Sequence, residues 1–121
     1  MKRDLELIRK MVLAIEDAPS GWAPHPLKIE GYSDTQVGYH AYLLVDAGLA
    51  TGQDASTFGS EAPEWVISKL SWAGHEFADA SRDDTRWKNA MGAVREKAGT
   101  VTLGVLTQLL VALMKGALGI P

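Results

Sequence analysis

The stretch LSWAGHEFADASRDDTRW, residues 70 to 87, holds two tryptophans, a histidine, a glycine and six formal charges of both signs in eighteen positions. Three kinds of chemistry compete for it. On a helix His75 and Asp79 are i, i+4 neighbours, and Arg82 lies one turn beyond. The first possibility is a metal site. His75 and Asp79, with Glu76 one position round, supply a ligand pair, but zinc needs three or four. His25, in a Pro-rich loop, and His40, on an apolar face, would have to converge on them. The second is catalysis, with His75 as a general base oriented by Asp79. There is no cysteine, no G-x-S-x-G elbow and no phosphate-binding loop to supply a partner reaction. Ser71 and Ser81 lie near His75 in sequence without any nucleophile pattern.

The third possibility is structural. Trp72 and Phe77 would anchor a core, and Gly74 would let a helix start pack closely against a hairpin. His75, Asp79 and Arg82 would form a hydrogen-bonded column. Asp83 or Asp84 would cap the next helix, and Trp87 would pack back on Trp72 or Phe77. The structural reading needs the fewest coincidences. No catalytic residue, metal or cofactor is expected.

The elements that must position these residues follow from periodicity. Leu5, Ile8, Met11, Val12 and Ile15 predict a first helix over 3–17. APSGWAPHP is a loop, and PLKIEGY alternates as a short strand would. Ser33 and Gln36 have capping-box spacing. Val37, His40, Leu44 and Ala47 then share a helix face that Gly48 ends. Residues 49–70 read as a β-hairpin with a long polar tip, returning on WVISKL. Ser71 caps a third helix, TRWKNAMGAVREKA is a fourth, and LGVLTQLLVALMKGALG is a fifth.

The chain has 121 residues, 46% of them hydrophobic, and a net charge of −3. That suits one domain, divided into a core over 1–83 and a two-helix extension over 84–121. MKRDLELIRK lacks a signal peptide's apolar run, and no stretch is apolar enough to span a membrane. A cytoplasmic protein with no membrane association is expected.

The junction His40, Leu44, Ala47, Gly48, Leu49, followed by a hairpin and a helix opening on L-S-x-x-G, resembles the winged-helix arrangement. The expected fold is therefore α+β and mostly helical, winged-helix-like, with a small hairpin wing and a C-terminal helical extension. MKRDLELIRK, EGYS followed by YH, and LSWAGHEFADASRDDTRW together resemble a family of small bacterial and prophage proteins known mainly as a domain of unknown function. That resemblance implies the same winged-helix-like domain with a helical tail. It brings no catalytic residues with it.

Charge decides which partner to expect. Between Lys28 and Lys69 there is no Lys or Arg, but there are six acids: Glu30, Asp34, Asp46, Asp54, Glu61 and Glu64. The outer face of the second helix should show Thr35, Tyr39, Tyr42 and Asp46. Phosphate contacts need cations, whereas aromatic, uncharged surface suits a protein interface. EGYSDTQV also leaves room for at most one turn of the companion helix that DNA-reading helices have. A non-enzymatic protein-interaction module is expected. The alternatives are a DNA-binding regulator, using bases of the first and fourth helices, and a small phage-encoded inhibitor of a host system. Leu106, Leu109, Leu110, Leu113 and Met114 belong to a last helix apolar on many sides. They are expected to form the seam of a homodimer.

Overall fold

The computed structural model describes residues 1–96 and 103–119. The elements are α1 (Leu5–Glu16), α2 (Asp34–Asp46), β1 (Ala50–Asp54), β2 (Trp65–Leu70), α3 (Trp72–Ser81), α4 (Asp84–Glu96) and α5 (Leu103–Ala117). The class is α+β, mostly helical, with one two-stranded antiparallel sheet among the described residues. The chain forms two compact units, Met1–Ala78 and Asp79–Pro121.

In the first unit, α1 begins where the Asp4 carboxylate accepts the Leu7 N–H at 3.2 Å. Such a cap satisfies one of the helix's orphan donors. Leu7, Ile8, Met11, Val12 and Ile15 are buried. Leu7 takes the central place where the periodicity put Leu5, which is only half-buried. Both halves of the capping box on α2 are present. Gln36 N–H donates to Ser33 Oγ at 3.1 Å, and Ser33 N–H donates to Gln36 Oε1 at 2.8 Å.

The end of α2 is a Schellman turn. Gly48 has φ +77, a region open to glycine without strain. Gly48 N–H donates to the Val45 carbonyl at 3.0 Å and Leu49 N–H to the Leu44 carbonyl at 2.9 Å. Leu44 and Leu49 are both buried, the apolar contact that accompanies this turn. The chain passes directly into β1, which pairs with β2 in the register Ala50↔Leu70 to Asp54↔Trp65, with a bulge after Thr51.

At the base of the hairpin, Ser71 N–H donates to the Leu49 carbonyl at 2.9 Å. Ser71 Oγ donates to the Gly48 carbonyl at 2.6 Å and accepts the Gly74 N–H at 3.1 Å. One hydroxyl therefore caps α3 and ties it to the end of α2. Gly74 is the close approach that the sequence suggested, because a Cβ there would run into the Leu49 carbonyl oxygen.

His40 is buried between α1 and α2. Its Nε2 accepts the Asp4 N–H at 2.9 Å, and its Nδ1 faces the Gln36 carbonyl at 2.8 Å. An amide can only donate and a carbonyl only accept. The ring is therefore the neutral tautomer protonated at Nδ1.

The stretch PLKIEGY is not a strand. Pro26 opens it without an N–H to offer a ladder, and Gly31 at φ +87 turns the chain, with Tyr32 N–H donating to the Ile29 carbonyl at 3.2 Å. Ala23 N–H alone reaches the edge of β2, at the Ser68 carbonyl, 2.8 Å away.

In the second unit, Asp83 caps α4, its carboxylate accepting the Arg86 N–H at 2.8 Å. The two helices α4 and α5 pack together. Trp87, Ala90, Leu106 and Leu110 are buried.

Replacing His40 by Ala leaves the Asp4 N–H unsatisfied and opens a cavity. It should lower stability by about 2–4 kcal/mol, read as a lower urea midpoint at unchanged slope. Gly74→Ala should cost about 1–3 kcal/mol by pushing the helix start off the hairpin. A Gly74→Ala variant as stable as the parent would show that α3 can shift without strain.

Candidate functional site

The opening stretch runs from the end of β2 through α3 into the start of α4, and the helical phase of α3 assigns the roles. Gly74, Phe77, Ala78 and Ser81 are buried and fall within one stripe about 100° wide. Trp72 lies on the opposite side of the wheel. Expected as a core anchor, it is 81% exposed, and its indole N–H donates to the Glu76 carboxylate at 2.6 Å. Phe77, the other expected anchor, is fully buried.

His75 faces outward, and its Nδ1 lies 3.1 Å from a Glu16 carboxylate oxygen on α1. That contact ties the start of α3 to the end of α1, where the sequence placed a column along α3 alone. Asp79, Arg82, Asp83 and Asp84 are exposed. Of the two capping candidates, Asp83 is the cap, and Asp84 is the first residue of the helix. No group of three or more His, Asp or Glu side chains that could hold a metal occurs among the described residues.

The expected contact face on α2 is only partly open. Thr35 and Asp46 are exposed, but Tyr39 and Tyr42 are half-buried. The Tyr42 ring lies 5.9 Å from Trp65 on β2 and 5.9 Å from Tyr39. This is a short aromatic row joining helix to hairpin, at spacings that contribute beyond area burial. Trp22 is 60% exposed.

The hairpin tip is organised by its own polar groups. Asp54 accepts the Ser56 N–H at 2.9 Å, and Glu64 N–H donates to Ser56 Oγ at 2.8 Å. Thr57 N–H donates to Ser60 Oγ at 2.9 Å. The Ser56 hydroxyl, then its N–H, holds the Asp54 carboxyl below the usual carboxylate range. Phe58 stands clear of all of this, at 112% relative exposure.

Cations near this face are already engaged. Lys28 Nζ sits 2.7 and 2.8 Å from the two Asp34 carboxylate oxygens. Lys69 lies 5.5 Å above the Trp22 ring and Lys10 5.5 Å above that of Tyr32, both within cation–π reach. Burial, then the charges of Asp4 and Glu6, push the Tyr32 hydroxyl's pKa up. Arg9 is buried beside Glu6, 3.7 Å away.

The residues the sequence reading missed form a groove of about 180 Å³ between residues 24–28, α2 and the start of β2. Val37, Ala41 and Ile67 line its floor and are buried, while Leu27 is half-buried in its wall. Asp34, Lys28 and Glu64 stand at its rim. A Cβ on Gly38 would lie 3.3 Å from Glu64 Cγ, so glycine there sets the close approach of β2 to α2. Beside the groove, and sharing Asp34 and Glu64 with it, is a shallow depression of about 80 Å³ that also takes in Glu61. The one hint in the sequence was the P-H-P triplet, which is incompatible with a regular strand.

On α5, Leu106 and Leu110 are buried in the single chain and Leu109 is half-buried. The side chains of Leu113 and Met114 lie outside the described residues. Val105 and Leu118 are exposed. Among the described residues no helix is long and apolar enough to cross a membrane.

This α+β arrangement, with its capped α3 junction, belongs to a defined family. The sequence profile of the family described as hypothetical protein (DUF2513) matches residues 2–100, and the chain is a member of it. A relative in Haemophilus influenzae, described as an uncharacterized protein, is 30% identical over 110 residues, covering 90% of this chain and 92% of its own. No solved structure matches the chain. The family match reaches from α1 through α4 and includes the groove and the hairpin.

The two aromatic residues of α3 should respond in opposite ways to truncation. Trp72→Ala should change stability by less than about 0.5 kcal/mol, as exposed substitutions do. Phe77→Ala should cost about 3–5 kcal/mol. Urea unfolding followed by far-UV circular dichroism checks both, and a large loss for Trp72→Ala would place that ring in a packed site.

Proposed function

We propose that this protein is a non-enzymatic protein-interaction module of winged-helix-like build, with α2 and the β1–β2 hairpin forming its contact face. The observation that carries the reading is electrostatic. The span between Lys28 and Lys69 holds six acids and no base, and the flanking cations Lys28 and Lys69 are spent on Asp34 and Trp22. A duplex-binding wing needs cations to displace the counterions condensed on phosphate. This one offers Asp54, Glu61 and Glu64 around an exposed Phe58. Exposed aromatic side chains amid polar surface suit a protein partner. Helix, Schellman turn, hairpin and capped helix follow one another as in a winged helix, and that order supports the build. Self-association through α5 fits the same module. Because Leu106 and Leu110 are already covered, it would use Val105 and Leu118.

Titrating labelled random-sequence duplex DNA with the protein, followed by fluorescence anisotropy, tests the reading. No binding is expected at low or at physiological salt. Micromolar binding that weakens steeply as salt rises would instead identify a phosphate-binding face and a DNA regulator.

A further inference from the structure

Among the described residues the sheet has two strands, so β2 has an outer edge there. Its bonding alternation can be read from the register. Ala55 N–H donates to the Glu64 carbonyl at 2.8 Å, and Val66 faces Gln53 two residues on. In an antiparallel pair, bonded and non-bonded positions alternate. The main-chain groups of Trp65 and Ile67 therefore point away from β1. At the bulge, where Ser68 is the extra residue of β2 and the alternation is broken, the Ser68 carbonyl also faces outward and accepts the Ala23 N–H. This side of β2 thus already accepts one main-chain donor, before Pro24 and Pro26 carry the chain off it.

The groove opens where the chain leaves the edge. Its floor of Val37, Ala41 and Ile67 is apolar. The depression continuous with it carries Asp34, Glu61 and Glu64 and no base. An open strand edge supplies main-chain bonds, an adjacent apolar floor accepts alternate side chains, and a charged rim selects among sequences. These are the components of recognition by strand addition.

We propose that this groove binds an extended segment of a partner protein that adds alongside Trp65–Ile67. The segment sets an apolar side chain on Val37, Ala41 and Ile67 and a neighbouring Lys or Arg against Glu61 and Glu64. The inference rests on the protein-interaction reading and names the partner's chemistry. A second copy of this chain on the same edge is an outcome the test separates.

The probe is the acetylated, amidated hexapeptide Lys-Val-Lys-Val-Lys-Val, titrated into the ¹⁵N-labelled full chain and followed by NMR. The largest shifts are expected at the Trp65, Ile67, Val37 and Ala41 amides, with slowed hydrogen exchange at Trp65 and Ile67. Binding should weaken about tenfold or more for the hexapeptide with Glu in place of Lys, and for Glu64→Lys, whose exposed side chain leaves the fold intact. Methylating alternate peptide nitrogens should abolish it. Shifts confined to the hairpin tip around Phe58 would overturn the groove proposal and leave the protein-interaction reading standing. Equal binding of the acidic peptide would overturn it too. So would concentration-dependent shifts of the Trp65 and Ile67 amides without peptide, which would place a second copy on the edge. No shift up to millimolar peptide would also overturn the groove, and the duplex titration would decide the broader reading independently.

Discussion

The first unit depends on one hydroxyl. Ser71 Oγ donates to the Gly48 carbonyl and accepts the Gly74 N–H, while Ser71 N–H donates to the Leu49 carbonyl. Three elements meet within these bonds: the end of α2, the base of the hairpin and the start of α3. Each has its own steric requirement. Gly48 must reach positive φ to close the Schellman turn. Gly74 must lack a side chain so that the helix start can touch the Leu49 carbonyl. With both satisfied, Phe77 and Ala78 come to lie on the buried side of α3, and Trp72 is left on the opposite side.

A second tie holds α1 against α2. His40 is neutral and buried, and it spends both ring nitrogens on main chain, one on the cap residue of α1 and one on its own helix. A buried polar ring is tolerated only when its donors and acceptors are met. Here meeting them also sets the position of the first helix. The same residue type on α3, His75, lies at the surface and contacts Glu16. There water competes for both partners, and an exposed pair contributes little to stability. The two histidines differ in energetic weight through burial and through the partners each ring meets.

The polar organisation of the hairpin and the sparing use of cations have a joint consequence. The face built from α2 and β2 is acidic along its rim, apolar in its groove and aromatic at Tyr42, Trp65 and the tip. The strand edge beside the groove is short, and Pro24 and Pro26 keep the chain's own residues from covering it. Edge strands are normally blunted against unwanted pairing. On the strand-addition proposal, the charge at Glu61 and Glu64 would provide that blunting toward like-charged strands while favouring a basic one.

Much of the fold was legible in the sequence because its signals are local. Ser33 with Gln36, Gly48, Ser71 and Asp83 mark helix ends through bonds to residues a few positions away, and period-3.6 patterns mark the helices between them. The family resemblance carried by the LSWAGHEF stretch was legible for the same reason. The phase of α3 was not. Trp72 and Phe77 are equally apolar by composition, and only the approach of Gly74 to Leu49 decides which side of the helix is covered. The strand expected at PLKIEGY failed because a strand is defined by a partner, and the chain turns at Gly31 without meeting one. The groove was invisible for a similar reason. Val37, Ala41, Ile67 and Glu64 are scattered along the chain, and only the packing of β2 on α2 across Gly38 brings them to one place. Sequence by itself determined the helices, the hairpin, most of their caps and the acidic charge between Lys28 and Lys69, because these depend on neighbours along the chain. The tertiary structure alone decided which apolar side chains are covered and where a strand edge stays open, because both depend on contacts between residues far apart in sequence.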